Sequence, residues 1–262
     1  MSVNPFVRVR AEALKAPTPQ DQNRQWWEQL PMTYERWENE DRSTSRQRVV
    51  EMFLRMNPWL TRDYFACFAG KQVLEIGCGA GPASCLFAEN GAHVRAIDLT
   101  ETGVEMTRRH TTDLDVKVER MDAEQMSFAD ASFDHVFSWG VLHHTSNPER
   151  AFAEVVRVLR PGGTALIMVY NRASALYWIK GAIWLLLRGK LFKGYTFSTV
   201  QRFFTDGYFH RCFTPAELTV ALAPLKVKRI SMTGQRRPPI PRSVDDWWHR
   251  RWGFLLIAEA ER

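Results

Sequence analysis

The residues with the clearest chemical potential are three glycines and three acids. Val73-Leu74-Glu75-Ile76-Gly77-Cys78-Gly79-Ala80-Gly81 carries an apolar run into a glycine turn that opens a helical pattern. Glycines there let backbone approach a ligand closely, and the helix N-terminus can face it. The dinucleotide fingerprint G-x-G-x-x-G needs glycine at position 82, where this chain has Pro82. The pattern is E-x-G-x-G-x-G instead, and the carboxylate of Glu75 suits a cationic ligand better than a pyrophosphate. Asp98 stands 21 residues after Gly77, the usual distance for a carboxylate gripping ribose hydroxyls. Asp122, followed by Ala123, ends a third apolar run, where an acid can accept from the exocyclic amine of adenine. Each acid alone is equally a cap for the next turn. One on each of three consecutive strands points to a nucleoside site.

The elements that must position these residues follow from periodicity. Strands are expected at 71–77, 93–98, 116–122, 133–139 and 164–170, with helices over 83–90 and 101–110. A further helix has Asn147 as N-cap and Pro148 at its first position, and Pro161-Gly162-Gly163 stops it. Near-continuous apolar strands separated by helices mean βαβ units and a parallel sheet. Ahead of them, a helix starts after Ser43 or Ser45 and ends at Pro58. After them, Thr214-Pro215-Ala216-Glu217 forms a capping box, and strands are expected at 226–234 and 254–261. The Arg- and Trp-rich connection between those two is too long for a tight hairpin.

Composition bounds the class. The chain has 262 residues, 45% apolar and 24% charged, close to the globular average, which excludes disordered and collagen-like classes. The net charge of +6 is modest and its Arg residues are spread along the chain, so a solvated, mildly basic surface is the plainest reading. Cys67, Cys78, Cys85 and Cys212 contain no C-x-x-C pair, and no metal site is indicated. The N-terminus lacks a signal-like apolar core, and the longest apolar run, near 182–187, falls far short of the ~20 residues that span a bilayer. A cytoplasmic protein is expected.

Together these motifs resemble the class I S-adenosylmethionine-dependent methyltransferases, small-molecule branch, over about residues 71–170. The glycine motif matches at 75–81, the ribose acid at Asp98 and the adenine-side acid at Asp122. Phe133-Asp134-His135-Val136, Gly140-Val141-Leu142-His143-His144 and the run from Glu154 to Gly163 look like that branch's strand-four and strand-five region. The resemblance implies a Rossmann-like α/β fold with a seven-stranded sheet ending in an antiparallel pair, and S-adenosyl-L-methionine as cofactor. It further implies that Gly77, Gly79 and Gly81 pass under the methionine moiety beside Glu75 and that Asp98 holds the ribose. By the same resemblance Leu99, Asp122 and Ala123 surround the adenine, and Ser138 and Trp139 line the methionine side. The expected division is a helical cap at 1–70, the cofactor core at 71–170, a helical substrate-covering insertion at 171–223 and a strand pair at 224–262.

Methyl transfer from a sulfonium is an in-line displacement needing a general base only for a protonated or weak nucleophile. His143 and His144 follow strand four at the ligand-binding edge and are candidates for that base, against a purely structural role. Tyr170 and Asn171 close strand five at the same edge. Tyr34 and Trp37 are candidate lid residues, since an aromatic suits a sulfonium, and Tyr208 and His210 are polar candidates in the insertion. The insertion's aromatics fit an apolar pocket or a dimer interface. Against membrane-surface contact, Lys180, Arg188, Lys190 and Lys193 do not fall on one clean helical face. A nucleic-acid (RNA) substrate is disfavoured because Ser138-Trp139-Gly140-Val141 replaces the Asn/Asp-Pro-Pro-aromatic motif of base-amino methyltransferases. The expectation is methylation of a small apolar or aromatic acceptor, the rivals being a nucleic-acid methyltransferase and a cofactor-binding protein without catalysis.

Overall fold

The computed structural model describes residues 16–29, 41–200, 207–234 and 242–262. In chain order the elements are α1 (Pro19–Gln29), α2 (Arg42–Met56), α3 (Arg62–Ala66), β1 (Gln72–Ile76), α4 (Pro82–Glu89), β2 (His93–Asp98), α5 (Glu101–Thr111), β3 (Val116–Arg120) and β4 (Phe133–Trp139). They continue with α6 (Pro148–Val158), β5 (Leu159–Tyr170), α7 (Ala175–Ala182), α8 (Pro215–Ala221), β6 (Lys226–Thr233), α9 (Arg242–Trp252) and β7 (Leu255–Glu261). The sheet has seven strands in the order β3-β2-β1-β4-β5-β7-β6. The first five are parallel, and β7 runs antiparallel between β5 and β6. This is the expected seven-stranded sheet with its antiparallel end.

Strand periodicity divides the core between two faces, because successive side chains point to opposite sides. Leu74, Ile76 and Val136 pack with Phe152 and Val155 of α6 and Leu218 of α8 on one face. Val73 and Phe137 pack with Val49 of α2, Phe65 of α3 and Leu86 and Phe87 of α4 on the other. Strand order reverses between β1 and β4, so their carboxyl ends part to leave a crevice where open α/β sheets take ligands.

Several boundaries differ from expectation. Helix α2 is capped by Asp41, whose carboxylate accepts from the amide of Thr44 at 3.0 Å, so it begins before Ser43 and Ser45. Strand β5 starts at Leu159 rather than 164, because the C-terminus extends the pairing: Gly162 N–H donates to the Arg262 carbonyl at 2.8 Å, and Arg262 N–H to Gly163 at 2.9 Å. Strand β3 ends at Arg120, leaving Asp122 in the loop beyond. The connection before the last strand contains α9, with Asp245 in its first turn and His249, Arg250 and Arg251 in its last. That charge order complements the helix dipole and was present in the sequence. Helix α7 passes into a π-helical turn at Ile183–Leu187 and then a 3-10 turn at Leu191–Lys193. A face argument based on one regular helical period therefore does not apply to Lys180, Arg188, Lys190 and Lys193.

Candidate active site

The crevice opens into a cavity of about 960 Å³ that extends from the glycine loop to α7 and α9. At its base the loop is fixed by the sheet: Gly77 and Cys78 N–H both donate to the Ile97 carbonyl, at 2.8 and 3.0 Å. Gly77 has a φ of +75°, and a Cβ there would lie 2.2 Å from Cγ2 of Val141. Only glycine meets both demands. A buried relay holds the loop from the other side. Ser45 of α2 lies 2.8 Å from Nε2 of His110, and Nδ1–H of His110 donates to the Ala80 carbonyl at 2.8 Å. The tautomer follows from the carbonyl, which can only accept.

Glu75 lies at the end of β1, 4% exposed, and accepts from the Ser84 hydroxyl. Burial pushes its carboxyl up to about 8. Asp98 closes β2; its Oδ2 accepts from Gly79 N–H at 2.9 Å and its Oδ1 from Thr100 N–H and Oγ1–H at 2.9 and 2.7 Å. Burial raises this acid as well. A carboxylate offers about four acceptor positions, so Asp98 is oriented by three bonds and retains room for one more donor. A Cβ at Gly103 would fall 2.7 Å from its Cγ, so the first turn of α5 must stay bare. Asp122 Oδ1 accepts from Gln20 Nε2 at 2.6 Å and Glu124 N–H at 2.8 Å, leaving Oδ2 for another donor. Leu99, Ala123 and Trp139 also line the cavity.

The two candidate histidines have different surroundings. His144 lines the cavity, with Trp27 edge-on at 5.2 Å between ring centroids. Its Nδ1–H donates to the Phe209 carbonyl at 2.8 Å, which makes Nε2 the unprotonated nitrogen. Burial lowers its pKa to about 4, so the ring is neutral at physiological pH. A Cβ at Gly207, whose φ is +88°, would lie 2.5 Å from Nδ1, so the chain wraps closely around the ring. His143 is fully buried behind it, 4.1 Å from both His144 and Tyr170 by ring centroids, and does not line the cavity.

The remaining candidates divide similarly. Tyr170 lines the cavity and packs on Phe254. Asn171 is fully buried and ties β5 to the α9–β7 junction, its Nδ2 donating to the Gly253 carbonyl at 2.8 Å. Tyr208 packs on Trp26 at 6.2 Å, and His210 faces the two histidines electrostatically. Ser138 is fully buried and off the cavity, because it points to the face of β4 opposite Trp139. Tyr34 and Trp37 lie outside the described residues.

Further residues complete the walls. Gln20, Asn23 and Trp27 come from α1, which is also pinned by Glu28: its carboxylate accepts from Glu101 N–H at 2.7 Å and Thr102 N–H at 3.2 Å, at the open end of α5. Such contacts across the chain leave no local signal. At the far end stand Tyr177 and Lys180 of α7 and Trp248 and His249 of α9, with buried Asp245 lying 3.1 Å from His249.

Comparison with known proteins agrees with this fold. Residues 74–167 match the family described as a methyltransferase domain. A ubiquinone biosynthesis O-methyltransferase of Aromatoleum aromaticum is 35% identical over 133 residues, covering 49% of this chain and 56% of that protein. An S-adenosyl-L-methionine-dependent Diels-Alderase of Talaromyces variabilis is 34% identical over 119 residues, 43% of this chain and 41% of that one. The chain thus spans about half the length of the curated relatives it matches. A solved S-adenosylmethionine-dependent methyltransferase from Mesorhizobium loti shares the fold, with a TM-score of 0.55 at 21% identity over 79% of this chain and 95% of that one. Residues 74–167 are thus similar to a methyltransferase domain, on a fold shared with solved S-adenosylmethionine-dependent methyltransferases.

Proposed function

We propose that this protein transfers a methyl group from S-adenosyl-L-methionine to a small apolar or aromatic acceptor. The observation that carries the reading is the single cavity with two unlike ends. One end holds a glycine loop and buried acids, the other is rich in aromatic side chains around Lys180 and the Asp245–His249 pair, and a neutral histidine also lines the cavity. Two desolvated carboxyls, Glu75 and Asp98, border the loop end, and a ligand bringing cationic and hydroxyl groups relieves that burial. The residues therefore fit the family's cofactor, which supplies an electrophilic methyl group when bound.

In this reading Glu75 faces the cationic methionine end, Asp98 uses its remaining acceptor position on the ribose, and Asp122 Oδ2 takes the adenine amine. Trp139 and Trp27 wall the space where acceptor and methyl carbon meet. Their main contribution is alignment, which supplies up to ~7–11 kcal/mol in well-oriented reactions. His144 Nε2 accepts the acceptor's proton as the new bond forms, while the Phe209 carbonyl holds the opposite nitrogen as donor. His143 is the packing support behind it.

The test is methyl transfer to a library of apolar phenols and related acceptors, read by mass. His144→Gln is expected to lower turnover about a hundredfold while leaving S-adenosylhomocysteine affinity within a factor of about two. Unchanged turnover removes His144 from the chemistry. Saturable cofactor binding with no transfer to any acceptor favours a cofactor-holding protein without methyl transfer.

A further inference from the structure

Outside the cavity, the most unusual feature is where the protein leaves apolar surface uncovered. Among the described residues, the strongly exposed large apolar side chains other than Met56 and Val220 fall in two segments. The first holds Trp178, Ile179, Ile183, Leu186, Leu187, Leu191 and Phe192, the last 89% exposed; the second holds Val244, Trp247, Trp248 and Trp252 of α9. Patches of this kind on a folded protein mark interaction sites. Both segments border the one cavity, through Ile179 and Lys180 on one side and Trp248 and Trp252 on the other.

Charge indicates the partner. Residues 175–200 contain Lys180, Arg188, Lys190 and Lys193 and no acid. Arg188 lies over Trp184 at 4.7 Å, Lys190 over Tyr195 at 5.2 Å, and Arg251 over Trp247 at 5.2 Å. Cations laid on half-buried and exposed aromatic rings in segments with exposed leucines match a surface with anionic headgroups above and hydrocarbon beneath, where aromatic rings sit at the boundary and long cationic side chains reach the headgroups. No described helix is long and apolar enough to cross a membrane, so these segments can only lie in its surface. Leu186 and Leu187, in the π turn at Ile183–Leu187, are 62% and 83% exposed.

We propose that α7 with its following turns, together with α9, docks the protein on an anionic lipid surface. The cavity mouth then faces the membrane, and a lipid-soluble acceptor enters without crossing water. The docking stands on the surface itself and is tested by binding rather than by methyl transfer, so its failure and that of the proposed function are separable.

The full chain is sedimented with vesicles of phosphatidylglycerol and phosphatidylcholine in equal parts, and with phosphatidylcholine alone. Partition onto the mixed vesicles is expected to be at least about tenfold stronger and to weaken with salt. Leu187→Glu and Phe192→Glu, both outside the cavity lining, are each expected to cut it about tenfold, with S-adenosylhomocysteine binding retained as proof of folding. Three results overturn the proposal. These are no partition onto mixed vesicles, partition unaffected by both substitutions, and a solution dimer that both substitutions dissociate in the absence of lipid affinity.

Discussion

Glu75 is the residue whose protonation couples most directly to ligand binding. Its ordinary value is 4.5 and burial raises it to about 8, so the neutral acid dominates in the free protein at neutral pH. The sign for stability follows: the unfolded chain loses this proton first, so Glu75 makes the free protein less stable as pH rises from 4.5 through about 8. A cationic ligand beside it draws the value back down. Binding of S-adenosylhomocysteine at neutral pH should therefore release a proton, seen as different heats in buffers of different ionisation enthalpy; equal heats would contradict the assignment. At Gly77 the prediction is steric. Gly77→Ala should weaken cofactor binding at least about tenfold, since a left-handed non-glycine residue alone costs about 1–3 kcal/mol. Adding Val141→Ala should recover part of the loss, because it removes the 2.2 Å clash but not the φ.

At the scale of elements, helix α1 is held at both ends over the cavity, by Gln20 on Asp122 and Glu28 on the first turn of α5. Glu28→Ala should loosen it, costing about 1 kcal/mol by thermal unfolding and speeding hydrogen exchange in α1. Unchanged exchange would mean the lid is held by Trp26 and Trp27 packing instead. His110→Leu should cost about 1–3 kcal/mol, because Ser45 and the Ala80 carbonyl both lose a buried partner. The strands were legible because their apolar runs are local, and so was α6, whose Asn147 cap and Pro148 sit within one turn. Helix α2's cap was misplaced because Ser45 resembles a cap in sequence yet spends its hydroxyl on His110, 65 residues away. Ser138 and Trp139 were grouped by adjacency, whereas strand alternation puts them on opposite faces.

For the whole molecule, one sheet edge collects residues that are distant in sequence into a cavity with a polar and an apolar end. The polar end was readable because Glu75 and Asp98 sit at strand ends and the glycines and Asp122 in the loops directly after them, where spacing determines position. Of the other end only the insertion's aromatics were readable, because it is assembled from α1, α7 and α9, whose contacts with it are non-local. The methyl transfer proposed there rests on the polar end holding the expected cofactor. The most direct measurement is calorimetric titration of the full chain with S-adenosylhomocysteine beside NAD, repeated with Asp98→Ala. Saturable one-site binding of S-adenosylhomocysteine, none of NAD, and at least about tenfold weaker binding by the variant is the predicted result. Binding of NAD with none of S-adenosylhomocysteine, or an affinity indifferent to Asp98, would contradict it.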